Sequence, residues 1–129
     1  IMEDSKGNLW IGNNGIGVLL MENEKAINFS DKNGLINIFS SKNGNLSPAG
    51  TLEHVFVIEE DSEGNIWFGD RDTGVWKYDG KNMTNYTIDS RLSKPMIWSI
   101  YKDNRNNLLF GMASGGVYIF NGKSFDKKF

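Results

Sequence analysis

Cysteine is absent from the 129 residues, which excludes disulfide staples, thiolate metal sites and a cysteine nucleophile. A single histidine, His54, excludes a His-rich metal site. Two prolines are too few for a Pro-rich linker. No basic excess exists: Lys and Arg number 14 against 16 Asp and Glu, a formal net charge of -2. That balance lacks the electrostatic footprint of a nucleic-acid binder or of a protein that contacts anionic membranes. No apolar run approaches the roughly 18 residues of a transmembrane helix, and no basic segment followed by an apolar run reads as a leader. What is plentiful is glycine, at 15 residues, and aromatic side chains, at 12%. The aromatics supply apolar mass for one packed core, and the length fits one domain of about 100–200 residues or part of one. The chain opens on Ile1-Met2-Glu3-Asp4 and closes on Ser124-Phe125-Asp126-Lys127-Lys128-Phe129, both inside an element. It is therefore expected to be a stretch of a longer protein.

The glycines mark a repeat. Residues 3–12 read EDSKGNLWIG and residues 60–69 read EDSEGNIWFG, identical at seven of ten positions at a shift of 57. A third copy, KDNRNNLLFG, follows 42 residues later at 102–111. The register keeps Asp4, Asp61 and Asp103; Asn8, Asn65 and Asn107; Gly12, Gly69 and Gly111; and Val18, Val75 and Val117. The unit is thus about 42 residues, with 15 more inserted within 36–54 after the first copy.

Each unit reads as four short strands. In the second copy these are 55–59, 66–69, 75–78 and 83–88, rich in strand formers and separated by turn residues. Asp61 and Gly64 have the chemistry of a tight hairpin, Asp bonding back to the backbone and Gly accepting positive φ. Asn106 replaces that glycine in the third copy and tolerates the same conformation. No window carries a helical apolar stripe. Four antiparallel strands every 40 to 50 residues is the pattern of a β-propeller blade, which buries its two faces only against neighbouring blades. The expectation is an all-β partial propeller of three four-stranded antiparallel blades, about 11 or 12 strands. The blades are placed at 1–35, 55–95 and 96–129, with 36–54 an irregular inserted loop. Gly12, Gly69 and Gly111 close the second strands where a side chain would obstruct. Trp10, Trp67 and Leu109 are expected at equivalent buried positions, as are Ile1, Ile58 and Ile100, and Val18, Val75 and Val117. The first and third blades each leave one sheet face uncovered, so further blades of the same chain or a second copy are expected against them.

The string Asp-Ser-x-Gly-Asn-(Leu/Ile)-Trp-(Ile/Phe)-Gly, followed shortly by Gly-Val, resembles the two-component regulator propeller repeat. The Asn33-Gly34-Leu35 step after the fourth strand fits the blade junction of that family. The third copy departs from the pattern, with Leu109 for Trp and Asn104-Arg105-Asn106 for Ser-x-Gly. The resemblance implies the extracytoplasmic sensor region of a bacterial membrane-bound regulator, on the periplasmic or extracellular side, with small-molecule or glycan-derived oligosaccharide ligands.

Motifs that invite sharper readings give way to plainer ones. Asp4, Asp61 and Asp103 offer too few oxygens for calcium loops and read as turn caps. Trp10 and Trp67 recur at one repeat position, the mark of core packing rather than of sugar stacking. Residues 12–17, GNNGIG, have no helix to present N–H groups to a phosphate. His54 has no serine elbow or second base beside it. What varies between copies is the loop joining the second and third strands: 13–16, 70–73 and 112–115. These loops share one rim with the insertion. Polar, non-repeating residues on a repeating frame mark the candidate ligand site: Asn13, Asn14, His54, Arg71 and Asp72. No catalytic residue, metal or cofactor is read. The first expectation is a non-enzymatic sensor module. A propeller lyase or hydrolase and a plain interaction scaffold are its rivals.

Overall fold

The computed structural model describes residues 1–37, 46–92 and 95–129. Residues 38–45 of the inserted loop lie outside the described residues. Twelve strands form three four-stranded antiparallel meanders. The first sheet comprises β1 (Met2–Glu3), β2 (Leu9–Gly12), β3 (Val18–Glu22) and β4 (Lys25–Asn28). The second comprises β5 (Val55–Glu60), β6 (Ile66–Asp70), β7 (Gly74–Tyr78) and β8 (Met83–Tyr86). The third comprises β9 (Ile97–Lys102), β10 (Leu108–Met112), β11 (Val117–Phe120) and β12 (Phe125–Lys127). Among the described residues, one turn of helix, α1 (Phe29–Lys32), follows β4, its N-terminus capped by the Asn28 side chain on Asp31 N–H. The second and third sheets converge at their first strands, where β5 lies against β9, and the first sheet meets β5 through β2. This is the three-blade all-β arrangement that the repeat predicts.

The middle sheet shows how the alternation works. Cross-strand partners share a face. Ile58, Phe68 and Trp76 pair across one face, and Val57, Gly69 and Val75 across the other. The first face packs on Trp10, Leu20 and Phe29 of the first blade, the second on Ile97, Phe110 and Tyr118 of the third. Every residue of β6 is consequently buried. A Cβ at Gly69 would lie 2.6 Å from Val57 Cγ1 and 2.7 Å from Ile97 Cβ, so the second and third blades approach closely only because this position has no side chain.

Four expected core positions differ, among them Ile58, which is half-buried against the core of the first junction. Trp10 and Trp67 are buried between blades, but Leu109, at the same repeat position, is half-buried, as is Val117. Both sit on the face of the third sheet that no following blade covers. Ile1 is 90% exposed, because the short β1 begins only at Met2 and gives it no ladder partner.

The first strands of the second and third blades carry one further device. Val55 pairs with Asp70 and Val57 with Gly69, leaving Phe56 as the extra residue of a bulge. Ile97 pairs with Met112 and Ser99 with Gly111, leaving Trp98 in the same position of its blade. Bulges re-aim a side chain away from the ladder. Phe56 is 45% and Trp98 68% exposed, while their strand neighbours Val55 and Ile97 are buried.

Candidate functional site on the loop rim

The loop after β2, the end of the insertion and the loop after β6 are stitched together at one rim. Main-chain N–H groups of Gly15 and Gly17 donate to Glu53 O at 3.0 and 2.8 Å, and Val55 N–H donates to Asn13 O at 2.9 Å. Asn14 and His54 form an antiparallel bridge. Arg71 N–H donates to His54 O at 2.8 Å, and Ala113 N–H repeats that contact on Met96 O in the third blade. The structure therefore brings Asn13, Asn14, His54 and Arg71 together through backbone contacts rather than through side chains turned to solvent.

Beneath this lattice lies a buried polar cluster. Asp70, fully buried at the end of β6, accepts four backbone N–H bonds. Glu53 and His54 supply two at 3.0 and 3.1 Å, Asp72 and Thr73 two at 2.7 and 3.1 Å. Burial still outweighs those bonds and raises its pKa above the ordinary carboxylate value. Asp72 is shifted the other way. Burial pushes it up, but the Arg71 guanidinium, the Ser47 N–H and the positive charge of Arg71 together leave it lowered. Arg71 binds it through two nitrogens, Nε at 2.9 Å and Nη2 at 2.7 Å. Ser47 Oγ–H donates to Glu53 Oε1 at 2.7 Å, and Asn37 N–H donates to Glu53 Oε2. Ser47 Oγ also lies 2.9 Å from His54 Nδ1. With the hydroxyl proton directed at Glu53, Nδ1 is the ring nitrogen that donates to Ser47 Oγ, and the other ring nitrogen is Nε2. That nitrogen is buried with no hydrogen-bond partner among the described residues.

A cavity of about 350 Å³ opens beside the cluster, lined among others by Ser47, Asp72, Thr73, Asn85, Asp89 and Pro95. Asp72 is the member of the sequence-read set that reaches it. Sequence reasoning passed over Asp70, Glu53 and Ser47. The available signal at Asp70 was an acidic residue directly after the strand-closing glycine, where the other copies have Asn13 and Met112. Ser47 and Glu53 lie in the insertion, which has no counterpart copy to compare.

Three four-stranded meander sheets packed face to face, with an Asp–Trp turn repeated in the first two, define a partial propeller. The family model for the two component regulator propeller matches residues 1–15 and 50–76, the first and second copies of the motif. The match excludes the third copy, where the Trp and the turn glycine are replaced. No curated protein matches the chain.

Proposed function

We propose that the chain is a non-catalytic recognition module of a bacterial two-component signalling regulator, held on the extracytoplasmic side. Its rim captures a small molecule or an oligosaccharide. Occupancy changes how the sensor regions of two chains pack and biases a two-state switch across the membrane. The observation that carries this reading is the braced rim itself: the insertion and the loops of the second blade line a cavity of about 350 Å³, and hydrogen bonds tie them to the loop after β2 of the first blade. Such bracing holds a site rigid on variable loops. The family match supports the signalling context. The test is a signalling assay on a full regulator carrying these blades, with Asn13→Ala, Asn14→Ala, Arg71→Ala and Asp89→Ala. At least one substitution is expected to shift the effector concentration for half response about 10-fold with unfolding unchanged. Four unshifted responses sink the rim as the recognition surface.

A further inference from the structure

We propose that the cleft between the second and third blades, at the hairpin-turn end of the strands, binds a small carboxylate. The first junction is the template. There Ser5, in the turn after β1, donates its N–H and its Oγ–H to the Glu60 carboxylate at the end of β5, each at 2.9 Å. A serine in the turn of one blade thus holds a carboxylate supplied by the first strand of the next.

The second junction keeps the serine and loses the carboxylate. The repeat register sets Ser62 at the position of Ser5, and Lys102, the last residue of β9, at the position of Glu60, the last residue of β5. The two positions share an orientation. Glu60 pairs with Ile66 on the face of Ile58 and Phe68, and Lys102 pairs with Leu108 on the face of Ile100 and Phe110. Each therefore lies on the side turned to the preceding blade. Among the described residues, no acceptor meets the Ser62 N–H, the Ser62 hydroxyl or the Lys102 ammonium. The register thus sets donor opposite donor, and an anion between them completes the charge-assisted bridge that the first junction makes internally.

The cleft has room for one. Its counterpart at the first junction, which Glu60 helps to line, has a volume of about 240 Å³. At the second junction the volume is about 370 Å³, with Ser62, Glu63, Asn65, Lys77, Asn106 and Phe120 among the lining residues. That falls within the roughly 300–1,000 Å³ of small-molecule pockets. A further cation enters with the widening: Lys77 stands where the first blade has Leu20, its Nζ 5.7 Å from the Trp67 ring centroid. Of the acidic lining residues, Asp61 has both oxygens engaged by its own turn and the Trp67 indole. Glu63, which replaces Lys6, is exposed, so solvent and salt screen its charge. The ligand is accordingly a carboxylate on a small body that lies against Phe120. The site is at the opposite end of the strands from the loop rim and does not depend on it.

The test is an amide NMR titration of the ¹⁵N-labelled chain with phenylacetate, with phenylacetamide at equal ionic strength as the neutral control. The Ser62 amide is expected to shift and saturate with a dissociation constant of about 1–10 mM, while the Ser5 amide, already bonded to Glu60, does not move. Lys102→Glu rebuilds the bridge of the first junction within the chain. It should move the Ser62 amide in the ligand-bound direction without phenylacetate, and weaken phenylacetate binding by about 10-fold or more, the scale of one hydrogen bond to a charged group. Glu60→Lys should do the reverse and make the Ser5 amide respond to phenylacetate. A Ser62 amide that phenylacetate leaves unmoved, an equal response to phenylacetamide, or undiminished phenylacetate binding in Lys102→Glu overturns the proposal.

Discussion

The indole N–H of Trp67 donates to Asp61 Oδ2 at 2.8 Å, and Trp10 makes the same bond to Asp4 at the same length. This single contact explains the spacing of the repeated motif. The Asp Oδ1 accepts the N–H groups two and four residues on, closing the hairpin, while Oδ2 takes the Asn amide and the indole. One carboxylate thus ties the turn to the residue that fills the next blade junction. Trp67→Phe keeps the ring and removes the donor, leaving Asp61 partly unpaired. A loss of about 1–3 kcal/mol is expected in urea unfolding. Trp67→Ala should cost about 3–5 kcal/mol, as for other large core deletions. Equal losses for the two variants would show that the hydrogen bond, not the packing, dominates.

The same turns set the acid limb of stability. In Asp4 and Asp61, burial raises the pKa, but the indole, amide and backbone donors outweigh it and leave both below the ordinary value of 3.8. In Asp103, backbone and side-chain donation from Asn107 lowers it directly. A lowered folded pKa means the unfolded chain binds more protons in that window. The stabilisation is present above the unfolded value near 3.8 and is lost as pH falls through the lower folded values. Asp70 has the opposite sign. Its raised pKa makes the folded chain the better proton acceptor, so stability is gained as pH falls through that raised value toward 3.8. Asp61→Asn is expected to flatten the loss of stability below pH 4, and Asp70→Asn to remove the gain above it. Denaturant midpoints measured from pH 7 to pH 2.5 check both slopes.

Glycine at position 69 is a packing requirement, whereas glycine at position 7 is a conformational one. Gly69→Ala places a methyl within 2.7 Å of Ile97 Cβ across the blade junction and should cost about 1–3 kcal/mol. Gly7 has φ 84° and nothing within 4 Å of an added Cβ, so Gly7→Ala costs only the left-handed conformation, about 1 kcal/mol. Asn106 already holds that conformation at φ 65° without glycine. Gly7→Asn is therefore expected to recover most of the alanine loss in the same unfolding assay.

Strand order, turn chemistry and the blade junctions were legible because three copies of one pattern report on each other. A residue such as Trp67 is read from its partner Trp10, and Asn106 from Gly7 and Gly64. The same reasoning misjudged Leu109 and Val117, since register fixes which face a residue is on but not whether another blade covers it. At the rim, repetition is silent by construction. Arg71, Asp72 and His54 stood out because they break the pattern. Their mutual bracing through Asp70, Glu53 and Ser47 depends on how the insertion folds back, a long-range contact that no local spacing encodes. The bulges at Phe56 and Trp98 were hidden for a simpler reason: one extra residue in a strand of strand formers leaves no compositional trace.

Those bulges yield a prediction that the tryptophan count makes clean. Of the four tryptophans, Trp10, Trp67 and Trp76 are at most 5% exposed, and Trp98 is 68% exposed. Collisional quenching needs contact with the ring, so acrylamide should reach one indole in four. The quenching plot should curve downward, with an accessible fraction supplied by Trp98. Trp98→Phe is expected to abolish most of the quenchable emission and to leave a population emitting to the blue, as buried indoles do. Because Trp98 is a bulge residue with its side chain outside both packed faces, the substitution should change stability by no more than about 0.5 kcal/mol. Phe56→Trp provides the internal control. It occupies the same bulge one blade earlier, at 45% exposure, and should add a second quenchable indole with intermediate accessibility. Unchanged quenching in Trp98→Phe, or a loss above about 2 kcal/mol, would place the ring inside the packing and remove the bulge as the reason for its exposure.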